Sequence, residues 1–191
     1  MSAAARPKIP PSWDVVTPAS VVAEPWANGM GVTRVLARRL AWRLSLAEIR
    51  GRSVFSAFPG VDRLLVLAGD QPLTLMIDGV RHRLVPGDVV RFPGEARVIP
   101  APMSAGALVV NLMTPRAFSR GDAETVRFSG SFLVAADDPR PVVVLSGYPA
   151  LAGARLPVGA ALLPSVTDRD LEGDAVIARL SIHPLTPSTT I

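Results

Sequence analysis

Hydrophobic positions along this chain recur with a period of two far more often than with one of 3.6. In Trp42–Ile49 the apolar Trp42, Leu44 and Leu46 alternate with Arg43 and Ser45, the pattern of a half-buried strand. Residues 63–68 (RLLVLA) form a continuous apolar run, too short for a good helix, which predicts a buried strand. The sharpest local signal is the hairpin LTLMI-DG-VRHRL, because Asp78-Gly79 is a dipeptide that supplies the two positive φ angles of a type I′ turn. Pro86-Gly87-Asp88 marks a further turn, residues 89–92 another strand, and residues 106–113 (GALVVNLM) a long apolar strand with one Asn inside it.

Beyond Arg116 the segment RAFSRGDAETVRFSG reads as polar and turn-rich, after which short apolar runs resume at 132–136, 141–146, 160–163 and 175–182. Nineteen prolines and fifteen glycines punctuate these runs. Many short strands between such breakers predict an all-β barrel or sandwich rather than alternating strands and helices. The predicted division is a first barrel over 13–116, a smaller β half over 117–184, and loosely held ends at 1–12 and 185–191.

Composition narrows the classes. A chain of 191 residues that is 49% hydrophobic can bury a sizeable core. Its formal charge of +4 comes from Arg far outnumbering Lys, scattered rather than bunched. Without a helix-turn-helix pattern or a basic stretch interleaved with aromatics, that charge does not read as a nucleic-acid footprint. Cysteine is absent, which removes disulfides, thiolate metal sites and cysteine nucleophiles. No stretch reaches the roughly 18 apolar residues of a membrane helix, and the opening MSAAARPKIPPSWDVV lacks a signal-peptide apolar core, so a cytoplasmic location is expected.

The chemistry-bearing residues cluster in ordered blocks. Trp26, Asn28, Gly29, Gly31, Thr33 and Arg34 come first, then Trp42, Arg43, Ser45 and Ala47. Phe55, Ser56, Phe58, Pro59, Gly60, Asp62 and Arg63 follow, then Phe92, Gly94 and Glu95, and last Asn111, Leu112 and Met113. Aromatic rings, amides and arginines beside glycines suit recognition of a small polar or anionic molecule. Over about residues 13–116 these blocks resemble the HutD/Ves family of bacterial proteins, whose pattern runs W-x-N-G-x-G-x-T-R, W-R-x-S-x-A, F-S-x-F-P-G-x-D-R, F-x-G-E and N-L-M. The resemblance implies a bicupin, two cupin-like β-barrels in one chain with a pocket in the first. It also implies a link to histidine utilisation, through binding of an intermediate such as formimidoylglutamate to limit pathway expression, or, on the Ves side, a stress-induced protein. Met30 stands where the family has a glycine, and Val110 where a polar residue often precedes the late strand.

Arg63 begins a strand just after the Phe58-Pro59-Gly60 turn, where its guanidinium could hold a carboxylate by two parallel hydrogen bonds. The alternative is an ion pair with Asp62 or Glu95 that pins the turn; the family resemblance favours the ligand. Asn111, inside an apolar strand, needs partners for its amide, from a ligand or from the core. Trp26, Asn28 and Thr33 surround a glycine turn and could offer a stacking wall with hydrogen bonds, or Trp26 could plug the core over a tight Asn28-Gly29 turn. Phe55 and Ser56 are candidate pocket walls, and Glu95 a candidate acceptor for an amine or imine group, with a turn carboxylate as its alternative. The two histidines, His82 and His183, lie far apart and lack the H-x-H spacing of a cupin metal centre, so neither metal nor cofactor is expected.

Three functions compete. The first is a non-enzymatic binder of a small carboxylated metabolite that regulates catabolism. The second is a metal-independent isomerase or lyase with Arg63 as anchor and Glu95 or Asp62 as acid/base. The third is a structural or partner-binding protein whose pocket is filled by Met30. Exposed barrel edges leave a homodimer open without specifying it.

Overall fold

A computed structural model describes residues 14–185 except Ala27, Ser53 and Ser104. Its strands are β1 (Val15–Val16), β2 (Ala23–Pro25), β3 (Gly31–Arg39), β4 (Trp42–Ile49), β5 (Val61–Ala68), β6 (Leu73–Ile77), β7 (Val80–Leu84) and β8 (Val89–Pro93). They continue with β9 (Val98–Pro100), β10 (Ala107–Pro115), β11 (Ser119–Val134), β12 (Val142–Gly147), β13 (Ala150–Leu151), β14 (Ala154–Arg155), β15 (Ala161–Leu162) and β16 (Arg169–Pro184). Apart from one 3-10 turn at Pro18–Ser20, the described residues form only strands and connections, the all-β, two-barrel cupin-like class expected.

Three antiparallel sheets build it. A six-stranded sheet runs β2-β3-β4-β10-β5-β8, a three-stranded one β7-β6-β9, and a seven-stranded one β1-β15-β12-β16-β13-β14 with β11 also on β16. The six-stranded sheet is covered on both faces, which explains the unbroken apolar runs of β5 and β10. Leu65, Leu67 and Val109 pack toward the three-stranded sheet with Leu75, Leu84 and Val98. The intervening Leu64, Val66, Val110 and Leu112 pack toward the seven-stranded sheet with Val143, Leu145, Ala178 and Leu180. A third core lies on the far side of that sheet, around Val142, Leu162, Leu171 and Ile177.

The Asp78-Gly79 turn joins β6 to β7 with φ of 48° and 84°, as a type I′ turn requires. Gly87, in the next turn, has φ 94°, and Asp88 closes that turn by accepting the Val85 N–H at 2.9 Å.

One expectation is corrected. The segment read as polar and turn-rich is the 16-residue β11, registered along the whole of β16 from Ser119↔Pro184 to Val134↔Arg169. It reads as a loop because only its inner positions, among them Val126, Phe128 and Phe132, meet a core. The glycine turn near Trp26 leads directly into β3, a nine-residue strand that the sequence reading did not assign. β1, placed by sequence with the first barrel, pairs with β15 of the seven-stranded sheet, where Val15 and Val16 pack against the cores on its two faces. The ends expected to be loose, 1–12 and 185–191, lie outside the described residues except Leu185, whose N–H donates to the Phe118 carbonyl at 2.8 Å. No helix among the described residues is long and apolar enough to cross a membrane.

Candidate functional site

The register of β4, β10 and β5 generates a site from alternation alone. Met113 on β10 pairs with Arg43 on β4 and Arg63 on β5; Asn111 pairs with Ser45 and Leu65; Val109 pairs with Ala47 and Leu67. Side chains two apart share a face, so Arg43, Ser45 and Ala47, Arg63, and Val109, Asn111 and Met113 form one floor. β3 extends it, since Thr33 pairs with Ala47. Over this floor, the β2–β3 loop brings Trp26 and Asn28, and the segment after β4 brings Phe55, Ser56 and Phe58, to enclose a cavity of about 240 Å³. That is below the ~300–1,000 Å³ of sites for drug-sized ligands, and suits a small metabolite.

Seven of the eight residues singled out from sequence line this cavity: Trp26, Asn28, Thr33, Phe55, Ser56, Arg63 and Asn111. Trp26 and Thr33 satisfy each other, the indole N–H donating to Thr33 Oγ1 at 2.8 Å. The Trp26 ring packs edge-on against Phe55, 5.7 Å between centres, and lies so close over Gly31 that a Cβ there would come within 2.7 Å of it. Asn28 shapes the loop, its side-chain oxygen accepting the Met30 N–H at 2.9 Å. The Met30 side chain lies against Gly51 and is not part of the cavity lining, so the expectation that it fills the pocket is corrected.

Arg63 is 6% exposed. Its guanidinium carbon sits 5.2, 5.5 and 5.1 Å from the ring centres of Phe55, Phe58 and Phe92. It donates to Asn111 Oδ1 at 3.2 Å and, at 3.4 Å, to the Ser56 carbonyl, while its buried Nε–H has no acceptor. Burial, and then the like charge of Arg43, push its pKa down to about 10. Aromatic faces stabilise a desolvated cation by about 2 kcal/mol, but they leave its donors unmet, and each buried unmet donor costs about 1–3 kcal/mol. The site therefore holds a cation whose hydrogen-bonding and charge are incompletely answered by protein.

The carboxylates that sequence offered as its partners are engaged elsewhere. Asp62 and Glu95 both pair with Arg116, at 2.8 and 3.0 Å, on the surface. Glu95 also accepts the Gly60 N–H at 2.6 Å, and is not among the cavity residues. The structure thus pairs neither acid with Arg63: Arg116, 54 and 21 residues away in sequence, takes both, and Glu95 has the place of the turn carboxylate that was its alternative reading. Arg116 holds the Glu95 carboxyl at about 2, with the Gly60 N–H as the second cause.

The cavity also takes in Arg43, Ser45 and Met113, which sequence alone does not single out as site residues. The signal was the polar phase of β4, which faces this cavity rather than solvent; Ser45 is 1% exposed. Among the described residues no three His, Asp or Glu gather, His82 sits on β7 opposite Leu75, and His183 is exposed.

The HutD family model matches residues 18–156. The chain belongs to the HutD family. Over 82 residues it is 35% identical to an uncharacterized 21.2 kDa protein in the hutC 3′ region of Pseudomonas putida, covering 39% of this chain and 43% of that one. Over 100 residues it is 34% identical to protein Ves of Citrobacter koseri, covering 48% and 52%. The chain thus spans about half the length of the curated relatives it matches. HutD from Pseudomonas fluorescens SBW25 superposes with a TM-score of 0.70 at 21% identity, over 88% of this chain and 98% of that one, a likeness of fold. Many residues of the motif blocks of this HutD-family chain line the cavity, Asp62 and Glu95 join the Arg116 clasp, and Trp42 packs against the core on the other face of the sheet.

Proposed function

We propose that this HutD-family chain is a non-enzymatic binder of a small carboxylated metabolite, anchored on Arg63, that limits expression of a catabolic pathway. The observation that carries the reading is the buried Arg63 guanidinium, facing a small cavity with an unmet donor and no carboxylate within ion-pair distance among the described residues. A ligand carboxylate can accept from such a guanidinium in bidentate fashion. The name of the Pseudomonas putida relative, which places it in the hutC 3′ region, supports histidine utilisation as the pathway, and formimidoylglutamate, a carboxylated intermediate of that pathway, is the ligand proposed. The binding partner is then a metabolite in the cytoplasm, with no part for nucleic acid, membrane or cofactor.

The position of Asp62 and Glu95 favours binding over turnover. The two carboxylates that sequence offered as acid or base for an isomerase or lyase are both clasped by Arg116 outside the cavity.

Thermal unfolding with formimidoylglutamate and N-formylglutamate tests the reading, because a ligand that binds only the native state raises its melting temperature. The expected result is a concentration-dependent rise in the wild type and none in Arg63→Met. A rise of equal size in the variant contradicts Arg63 as the anchor.

A further inference from the structure

Arg43 and Arg63 share one row across three strands. Met113 separates them, paired with each, so at the usual strand spacing of ~4.8 Å their Cα atoms lie about 10 Å apart on the same face. Both side chains line the cavity. Arg43 resembles Arg63 in being poorly answered: its Nη1 donates to the Met113 sulfur at 3.8 Å, a weak acceptor, and its buried Nε has no acceptor. Neither arginine makes an ion pair among the described residues. Glu24, at the cavity wall, is exposed and offsets Arg43 only at longer range. Burial first, and then a neighbouring guanidinium, lower the pKa of each: Arg38 acts on Arg43, and Arg43 on Arg63.

Two like charges held on one partly desolvated wall repel each other and are each costly without a counter-charge. A monoanion at Arg63 answers one of them. A ligand with an anionic group at each end answers both, and the Met113 side chain between them offers an apolar surface for a short linker.

We propose that Arg43 is a second anion subsite, and that the cavity selects small dicarboxylates, with one carboxylate on Arg63 and the other on Arg43. This rests on the reading of Arg63 as a carboxylate anchor and adds the specificity of the site. Arg43 is then the residue that separates a dicarboxylate from its monoamide.

Calorimetry on the full chain tests it with N-formylglutamate and N-formylglutamine, which differ by one carboxylate replaced with a neutral amide. The wild type is expected to bind the dicarboxylate about tenfold or more tightly than the monoamide, about 1.4 kcal/mol. In Arg43→Met that preference is expected to disappear; in Arg63→Met both ligands weaken. Equal affinity of the wild type for the two overturns the second subsite and leaves the Arg63 anchor standing, a comparison that needs no variant to fold. Binding of neither ligand to the wild type overturns the anchor and the subsite together.

Discussion

Arg63 sits among three aromatic faces, with the Asn111 amide oxygen and the Ser56 carbonyl as its acceptors, an environment that tolerates the cation without neutralising it. Asn111 is therefore the side chain that fixes the guanidinium's direction. Asn111→Leu, similar in size and unable to accept, is expected to weaken carboxylate binding by about 1.5–3 kcal/mol, the worth of a hydrogen bond to a charged group. Titration calorimetry reads this, and unchanged affinity would show that Asn111 does not orient Arg63. Both residues were legible in sequence, because a charge or an amide inside an apolar strand demands a reason. Ser45 and Arg43 were not, because an alternating polar phase reads as solvent-facing until the covering loops are known. Sequence left Glu95 open between a ligand contact and a turn carboxylate because its partner, Arg116, is remote in sequence and adjacent only through the β5–β8 and β5–β10 pairings.

The turn at Phe58–Gly60 and the turn after β8 hold each other, and thereby hold the roof over Arg63. Phe58 N–H donates to the Gly94 carbonyl at 2.8 Å, Gly94 N–H to the Val61 carbonyl at 2.6 Å, and Gly60 N–H to Glu95. A Cβ at Gly94 would overlap the Phe58 carbonyl, so only glycine permits this approach. Gly94→Ala is expected to destabilise the protein by about 1–3 kcal/mol, the usual range for overpacking, in chemical denaturation; a change below a few tenths would deny the contact. Glu95 adds a pH signature. Its folded-state pKa of about 2 lies below the ordinary 4.5, so its contribution is complete above pH 4.5 and fades as pH falls toward 2. The melting-temperature gap between wild type and Glu95→Gln should follow that course, and a gap that persists at pH 2 contradicts it. Among the elements, the Asp78-Gly79 hairpin was readable because two residues determine it. β11 was not, because its apolar positions are sparse and its order comes from sixteen residues of pairing with β16.

At the scale of the molecule, the six-stranded sheet is a shared wall. One face carries the cavity and its apolar surroundings, while Leu64, Val66, Val110 and Leu112 on the other form a core with the seven-stranded sheet. The two halves are expected to unfold in one transition. Leu112→Ala, at 1% exposure, should lower that transition by about 2–5 kcal/mol without splitting it; two resolved transitions would show independent barrels. The sequence announced doubly covered strands through their unbroken apolar runs, but which sheet covers which face depends on pairings across the whole chain. Site and core are thus opposite sides of the same strands, and the central claim concerns the site. The most direct measurement is the nitrogen-15 NMR signal of the Arg63 Nε–H, assigned by its loss in Arg63→Lys, during titration with N-formylglutamate. The account predicts a saturable shift as a carboxylate reaches this guanidinium; an Arg63 signal that stays fixed while the ligand binds elsewhere, or fails to bind, would contradict it.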